Sequence, residues 1–320
     1  MWHILFFMAI IFCKIAHAIA PTPFWQSSVR DNGRLLTYQS NDPSRGILIP
    51  LSPEHPITSA PFPEVMHAEH LSTVTVPTIE FFFNPIASEK EKVLPVILIA
   101  PGGGYACLSY QKEGLDIARD VMRLNCHAAV LKYPIRVPNT QEKAVVAAHQ
   151  ALTLLERHAQ FLKINPSQIG MMGFSAGAHL TAKMLAHPNH PLAFAILIYP
   201  AYLSDDGKTL KTDVYPAPPY VPTFVMQCRD DRSYLNASLG YVTHLATINA
   251  PVSYHLYPNG GHGFGNRITD NSLEVATWFE RLQQWFFTQI LAPISQSSPP
   301  PQLHLPLTHT HMSPLHQTKR

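Results

Sequence analysis

Charge is scarce in this 320-residue chain, where Asp, Glu, Lys and Arg together make up 14%. The 23 Lys and Arg nearly balance the 21 Asp and Glu, leaving a formal charge of +2 with no basic cluster. That excludes the footprint of a nucleic-acid binder, which needs a Lys/Arg-rich face against the phosphates. Cysteine is scarce too: four residues, none in a C-x-x-C pair. With Cys13 in an expected leader, Cys107, Cys126 and Cys228 allow at most one bridge. Neither a disulfide framework nor a thiolate metal site is expected, and the three read as small buried hydrophobes. An apolar run at residues 4–12 falls far short of the ~20 residues that span a bilayer. No stable membrane insertion is expected.

The two ends differ from the middle. Residues 4–12 have the length of a signal-peptide h-region and are followed by small residues at A-x-A spacing. Cleavage fits after Ala18 or after Ala20, and Pro21 directly behind the second point favours the first. Residues 1–18 are therefore expected to be a leader, and the protein to be secreted or periplasmic. Residues 293–320 carry Ser295, Ser297, Ser298, a proline run and His304, His309, His311 and His316 without periodicity. They read as a disordered Pro/His-rich tail, and His309-Thr310-His311 as solvated tail rather than a metal site.

With 46% hydrophobic residues, the chain can bury one large core. Short apolar runs at 79–83, 93–100, 128–133, 168–173, 194–199, 223–227 and 252–257 alternate with helical patterns at 114–124, 140–158, 239–248 and 273–290. This alternation predicts a mostly parallel central sheet with helices on both faces, a single α/β domain over 76–292. Residues 19–75, rich in Pro, Ser and His, are expected to be an irregular lead-in.

The most informative motif is Gly173-Phe174-Ser175-Ala176-Gly177, a G-x-S-x-G between a predicted strand and a predicted helix. A serine on so sharp a turn exposes its Oγ, and the next N–H, that of Ala176, faces an attacked carbonyl oxygen at a helix N-terminus. From average Gly and Ser usage, chance supplies this pattern in about one chain in ten of this length. The partners decide. A hydroxyl needs a base, and His262 stands in Gly260-Gly261-His262-Gly263-Phe264-Gly265 after the last predicted strand. The base needs an orienting carboxylate, and Asp230-Asp231 follows the 223–227 run; Asp231 is preferred, with Asp230 open. The order Ser…Asp…His is that of α/β-hydrolases. Pro101-Gly102-Gly103-Gly104-Tyr105 follows the 93–100 run, where Gly103 and Gly104 are expected, with Ala176, to form an oxyanion hole.

These residues resemble a bacterial α/β-hydrolase esterase of the acetylxylan-esterase-like group, related to the hormone-sensitive-lipase and dienelactone-hydrolase-like families. The resemblance spans roughly residues 75–290. It rests on 101–105 with Leu108-Ser109 and Glu113-Gly114, Val130-Leu131-Lys132-Tyr133, Ile169-Gly170 running into 173–179, Asp230-Asp231, and His255-Leu256-Tyr257-Pro258 before 260–265. It implies the α/β-hydrolase fold, Ser175 as nucleophile, His262 as base and Asp231 as orienter. It also implies a small-molecule or carbohydrate ester as substrate, acetyl or another short acyl group first, with neither cofactor nor metal. The chain departs from its relatives at Pro134, where they often carry Arg (Arg136 is displaced), at Ala178 for Gly, and at Arg232 for Pro. The rival expectations are a prolyl-oligopeptidase-like peptidase and a hydrolase-fold protein that only binds.

Overall fold

The computed structural model describes residues 25–30, 35–40, 42, 44–51, 64, 66–74, 76–89, 92–268, 270 and 273–292. The expected leader with its cleavage point and the expected 293–320 tail lie outside the described residues. In chain order the strands are β1 (Trp25–Arg30), β2 (Leu35–Ser40), β3 (Ile47–Pro50), a small hairpin of β4 (Met66–His67) and β5 (His70–Leu71), and β6 (Thr78–Phe82). A short α1 (Ile86–Glu89) precedes β7 (Leu94–Ala100), α2 (Asp116–Met122), β8 (His127–Lys132), α3 (Thr140–Arg157) and β9 (Ile164–Phe174). Then follow α4 (Ala176–Leu185), β10 (Phe194–Ile198), β11 (Thr223–Cys228), α5 (Leu235–Thr247), β12 (Val252–Tyr257) and α6 (Trp278–Phe286).

Ten strands form one sheet in the order β1-β2-β3-β6-β8-β7-β9-β10-β11-β12. The six from β8 to β12 run parallel, and β1, β2, β3 and β6 extend the sheet antiparallel. The parallel strands β7, β8, β10 and β11 are buried along their whole length. Continuous apolar runs such as LPVILIA and FAILI result, because helices cover both faces. The two layers can be read at the end of β9, where neighbouring side chains point to opposite faces. A Cβ on Gly173 would meet the backbone of α4, whereas the Phe174 ring packs edge-on against Trp278 of α6. The protein has the α/β-hydrolase fold in one domain.

The expectation of an irregular lead-in over 19–75 is corrected here. β1, β2 and β3 lie within it and belong to the main sheet. β1 and β2 continue the backbone ladder of a sheet whose core is already built and carry no clear apolar alternation, whereas β3 buries Leu48 and Ile49 in a run only four residues long. Arg45 clasps the fully buried Glu80 of β6 with two hydrogen bonds of 2.6 Å, and Glu64 meets Lys132 of β8 at 2.6 Å.

The chain order places the site. From β7 the chain moves to β8 on one side, then crosses back to β9 on the other. Such a reversal opens a crevice beyond the carboxyl ends of the two strands, and the loops after β7 and β9 meet there.

Candidate active site

Ser175 sits between β9 and α4 at φ +52°, ψ −115°, a conformation that a non-glycine residue adopts only under constraint. The glycines of the motif explain how the turn closes. A Cβ on Gly173 would lie 2.1 Å from the Gly177 carbonyl oxygen, and one on Gly177 would lie 1.9 Å from that of Ala100. A side chain at Gly173 would push α4 away from the turn, and one at Gly177 would push it off the end of β7. The Ser175 N–H donates to Ile198 O at 3.1 Å, which fixes the turn to β10 as well.

Ser175 Oγ lies 2.7 Å from His262 Nε2, and His262 Nδ1 lies 2.7 Å from Asp231 Oδ2. A carboxylate only accepts, so Nδ1 carries the proton and the Nε2 lone pair faces the serine hydroxyl. Asp231 is 6% exposed and lies behind the ring. Its neighbour does something different: Asp230 accepts the N–H groups of Gly260 at 3.1 Å and Gly261 at 2.9 Å. It ties down the loop that carries His262. That loop passes through φ values of +149°, +66°, +74° and +62° at Gly260, Gly261, Gly263 and Gly265, which is why glycines surround the histidine. Tyr199 and Tyr234 pack on the imidazole with ring centroids at 5.0 and 4.9 Å.

The loop after β7 comes close to the elbow, with an ideal Cβ on Gly102 falling 2.9 Å from Ser175 Cβ. The Gly102 N–H donates to Glu113 Oε2 at 2.8 Å. The N–H groups of Gly103, Gly104 and Ala176 have no hydrogen-bond partner among the described residues. Several side chains that sequence reasoning gave no role pin this loop. Tyr133 donates its hydroxyl to Pro101 O at 2.6 Å, and Arg136 Nε donates to Ala106 O at 2.5 Å. The displaced arginine thus still reaches the loop. Tyr105, at φ +61°, places its hydroxyl 2.9 Å from His179 Nδ1. Burial holds the His179 imidazole down at about 3, so it is neutral there.

Glu113 has no role that the sequence alone announces. It is 2% exposed and accepts the Tyr199 hydroxyl at 2.8 Å besides the Gly102 N–H. Burial pushes its carboxyl above the ordinary range, against the Tyr199 and Gly102 hydrogen bonds. No periodicity or spacing marks such a residue. Its partners are loop backbone and a tyrosine beyond β10. Of the cysteines, Cys126 and Cys228 are buried, while Cys107 is half-buried in the loop after β7; all three are free thiols. Among the described residues, no group of three His, Cys, Asp or Glu side chains is arranged to hold a metal ion.

A family model described as BD-FAE matches residues 83–199. The chain is 27% identical over 212 residues to a protein of Xylanibacter ruminicola described as an acetylxylan esterase. The match covers 58% of this chain and 42% of that protein, so the chain spans less than half of that relative's length. Among solved structures, one similar chain is an acetyl ester-xyloside bifunctional hydrolase from Caldicellulosiruptor lactoaceticus. It is 24% identical with a TM-score of 0.59, covering 76% of this chain and 96% of that one. Another is an α/β hydrolase from a Medee basin deep-sea metagenome library, 28% identical with a TM-score of 0.52, covering 70% and 93%. The fold and the crevice thus define an α/β-hydrolase-fold protein. Within that fold, the chain is similar to the acetylxylan-esterase-like group.

Proposed function

We propose that the protein is a serine carboxylester hydrolase that cleaves short-chain acyl esters, acetyl first, through an acyl-enzyme intermediate. The observation that carries this reading is the hydrogen-bonded series Ser175 Oγ, His262 Nε2, His262 Nδ1, Asp231 Oδ2, with 2.7 Å at both junctions. In the proposed reaction Ser175 Oγ attacks the ester carbonyl while His262 Nε2 takes its proton. Asp231 holds the ring and stabilises the imidazolium. The negative oxygen of the tetrahedral intermediate accepts N–H groups from Gly103, Gly104 and Ala176, which have no other partner among the described residues. His262 then gives the proton to the leaving alcohol, and water repeats the sequence to release the acid.

Acetyl groups on plant polysaccharide are the proposed natural target. The support is the likeness to the protein described as an acetylxylan esterase, together with a leader-like N-terminus that would export the protein to the periplasm or beyond the cell. No helix among the described residues is long and apolar enough to cross a membrane.

The test is hydrolysis of p-nitrophenyl acetate, butyrate and octanoate, acetylated xylan and a prolyl peptide by the purified protein, with Ser175→Ala as control. Ester cleavage that falls from acetate to octanoate and disappears in the control is expected. Peptide cleavage would favour the peptidase alternative. No Ser175-dependent turnover at all would leave only a binding role.

A further inference from the structure

Beside the proposed proton path lies a second buried carboxylate, which that path does not use. Glu113 Oε2 accepts the Gly102 N–H at 2.8 Å and Oε1 accepts the Tyr199 hydroxyl at 2.8 Å. The Tyr199 oxygen in turn accepts the Gly265 N–H at 2.9 Å. Gly102 directly precedes the two glycines proposed as oxyanion donors, and Gly265 lies three residues after His262. One unbroken hydrogen-bonded series therefore joins the loop after β7 to the loop that carries the base. Tyr199 is the hinge of this series. It is held at φ +37°, its N–H donates to Met226 O at 2.7 Å, and its ring packs on His262 and Phe264 at 5.0 and 4.8 Å.

The chemistry of the partners requires a carboxylate at this position. The Gly102 N–H can only donate. Tyr199 has one hydroxyl proton, and its oxygen already receives the Gly265 N–H, so that proton points to Glu113. Both oxygens of residue 113 must then accept, which a carboxylate does and an amide does not. Glutamine has the same shape but would serve one partner and face the other with a donor.

We propose that Glu113, acting through Tyr199, is a positioning residue that sets the N–H groups of Gly103 and Gly104 and the imidazole of His262 in register. The inference rests on the reading that Ser175 is the nucleophile of an ester hydrolase. The negative oxygen and the imidazolium form together and only on the way to the tetrahedral intermediate. Loss of register therefore lowers the rate of chemistry without weakening ester binding.

The experiment measures kcat and KM on p-nitrophenyl acetate, Ki for a trifluoromethyl ketone with an acetyl-sized acyl group, and the thermal midpoint. The proteins are wild type, Glu113→Gln, Tyr199→Phe and the double variant. The ketone adds to Ser175 and places a negative oxygen in the oxyanion site. Glu113→Gln should lose about ten- to a hundredfold in kcat, with KM unchanged within about twofold. Its ketone Ki should rise by a matching factor. Tyr199→Phe should lose less in the same pattern, and the double variant should resemble Glu113→Gln because the two act as one unit. Wild-type kcat in both single variants, a change confined to KM, or lower kcat with unchanged ketone affinity would each overturn the proposal. If Glu113→Gln does not fold, Tyr199→Phe, which keeps the carboxylate, carries the same test. Absence of hydrolysis by the wild type would sink the esterase reading and this inference together. A Glu113→Gln variant equal to wild type would sink this inference alone.

Discussion

Glu80 at the antiparallel side of the sheet and Glu113 beside Ser175 are both sealed from solvent, yet they are held by different means. Burial pushes the Glu80 carboxyl up, but two hydrogen bonds and the charge of Arg45, the charge of Lys132 and the Tyr110 hydroxyl outweigh it and hold it below the ordinary range. Glu113 is bonded to neutral donors only, and burial wins, leaving its carboxyl raised. Full charges serve on the antiparallel side, where a carboxylate has only to stay put and pairing offsets its desolvation. Near Ser175 a fixed cation would compete with the charges that develop in the proposed reaction, whereas backbone and hydroxyl dipoles orient the loops without doing so. The comparison predicts that changes on the antiparallel side cost stability and changes in the crevice cost rate.

The largest effect belongs to the crevice. Ser175→Ala should lower p-nitrophenyl acetate turnover by about 10⁴-fold or more while the fold stays intact. Residual Ser175-independent turnover near the wild-type level would refute its role. The two aspartates sharpen the contrast within one loop. Asp231→Asn should cost about 10⁴-fold in kcat, because the amide no longer fixes the imidazole tautomer. Asp230→Asn keeps one of the two contacts to Gly260 and Gly261, and about a tenfold loss is expected on the scale of a displaced, not deleted, catalytic group. Equal losses in steady-state kinetics would contradict this division of labour.

On the antiparallel side, Arg45→Met leaves Glu80 as a buried charge without its bidentate partner. Urea unfolding should show a loss of about 3–5 kcal/mol, and kcat should change less than about twofold if the regions are as separate as proposed. A kcat loss larger than the stability loss would break the comparison.

The smallest expected effect is a pH dependence of stability from buried neutral histidines. His127 accepts the Asn84 N–H on Nδ1 at 3.0 Å and donates Nε2–H to Lys163 O at 3.1 Å, which leaves no place for a second proton. Burial holds it down at about 4, and His179 at about 3, from an ordinary 6.5. Below pH 6.5 the unfolded chain binds protons that the folded one refuses. Their contribution is thus fully present above about pH 6.5 and is lost as pH falls, by about 1.4 kcal/mol per unit for each group. Urea midpoints at pH 7 and pH 5 should differ less in His127→Gln than in wild type. An identical pH slope in the two proteins would count against His127.

The parallel half of the fold was legible because β7 and β10 are buried on both faces and read as unbroken apolar runs. Ser175, His262 and the Gly102–Gly104 stretch were legible because each lies in a local backbone pattern behind a strand. β1, β2 and β3 were not: β1 (WQSSVR) and β2 (LLTYQS) mix polar and apolar residues without a clear alternation, and β3 (ILIP) is apolar and buried but only four residues long and ends in a proline. The sequence preferred Asp231 but left Asp230 open, because the two are adjacent and chemically identical; the turn after β11 aims Asp231 at the ring and Asp230 at the glycines. Glu113 and Tyr199 lie 86 residues apart, and neither has a neighbour in sequence that announces the other.

The sequence by itself determined where glycine was obligatory, where a serine could stand exposed on a turn, and the chain order of serine, acid and histidine. These follow from steric limits that act within a few residues. Only the tertiary structure decided which aspartate faces His262 and that Glu113 links the two loops. A hydrogen bond exists only within a few tenths of an ångström of its ideal length and with its donor aimed at its acceptor. The packing of β7, β9, β10 and β11 fixes those distances.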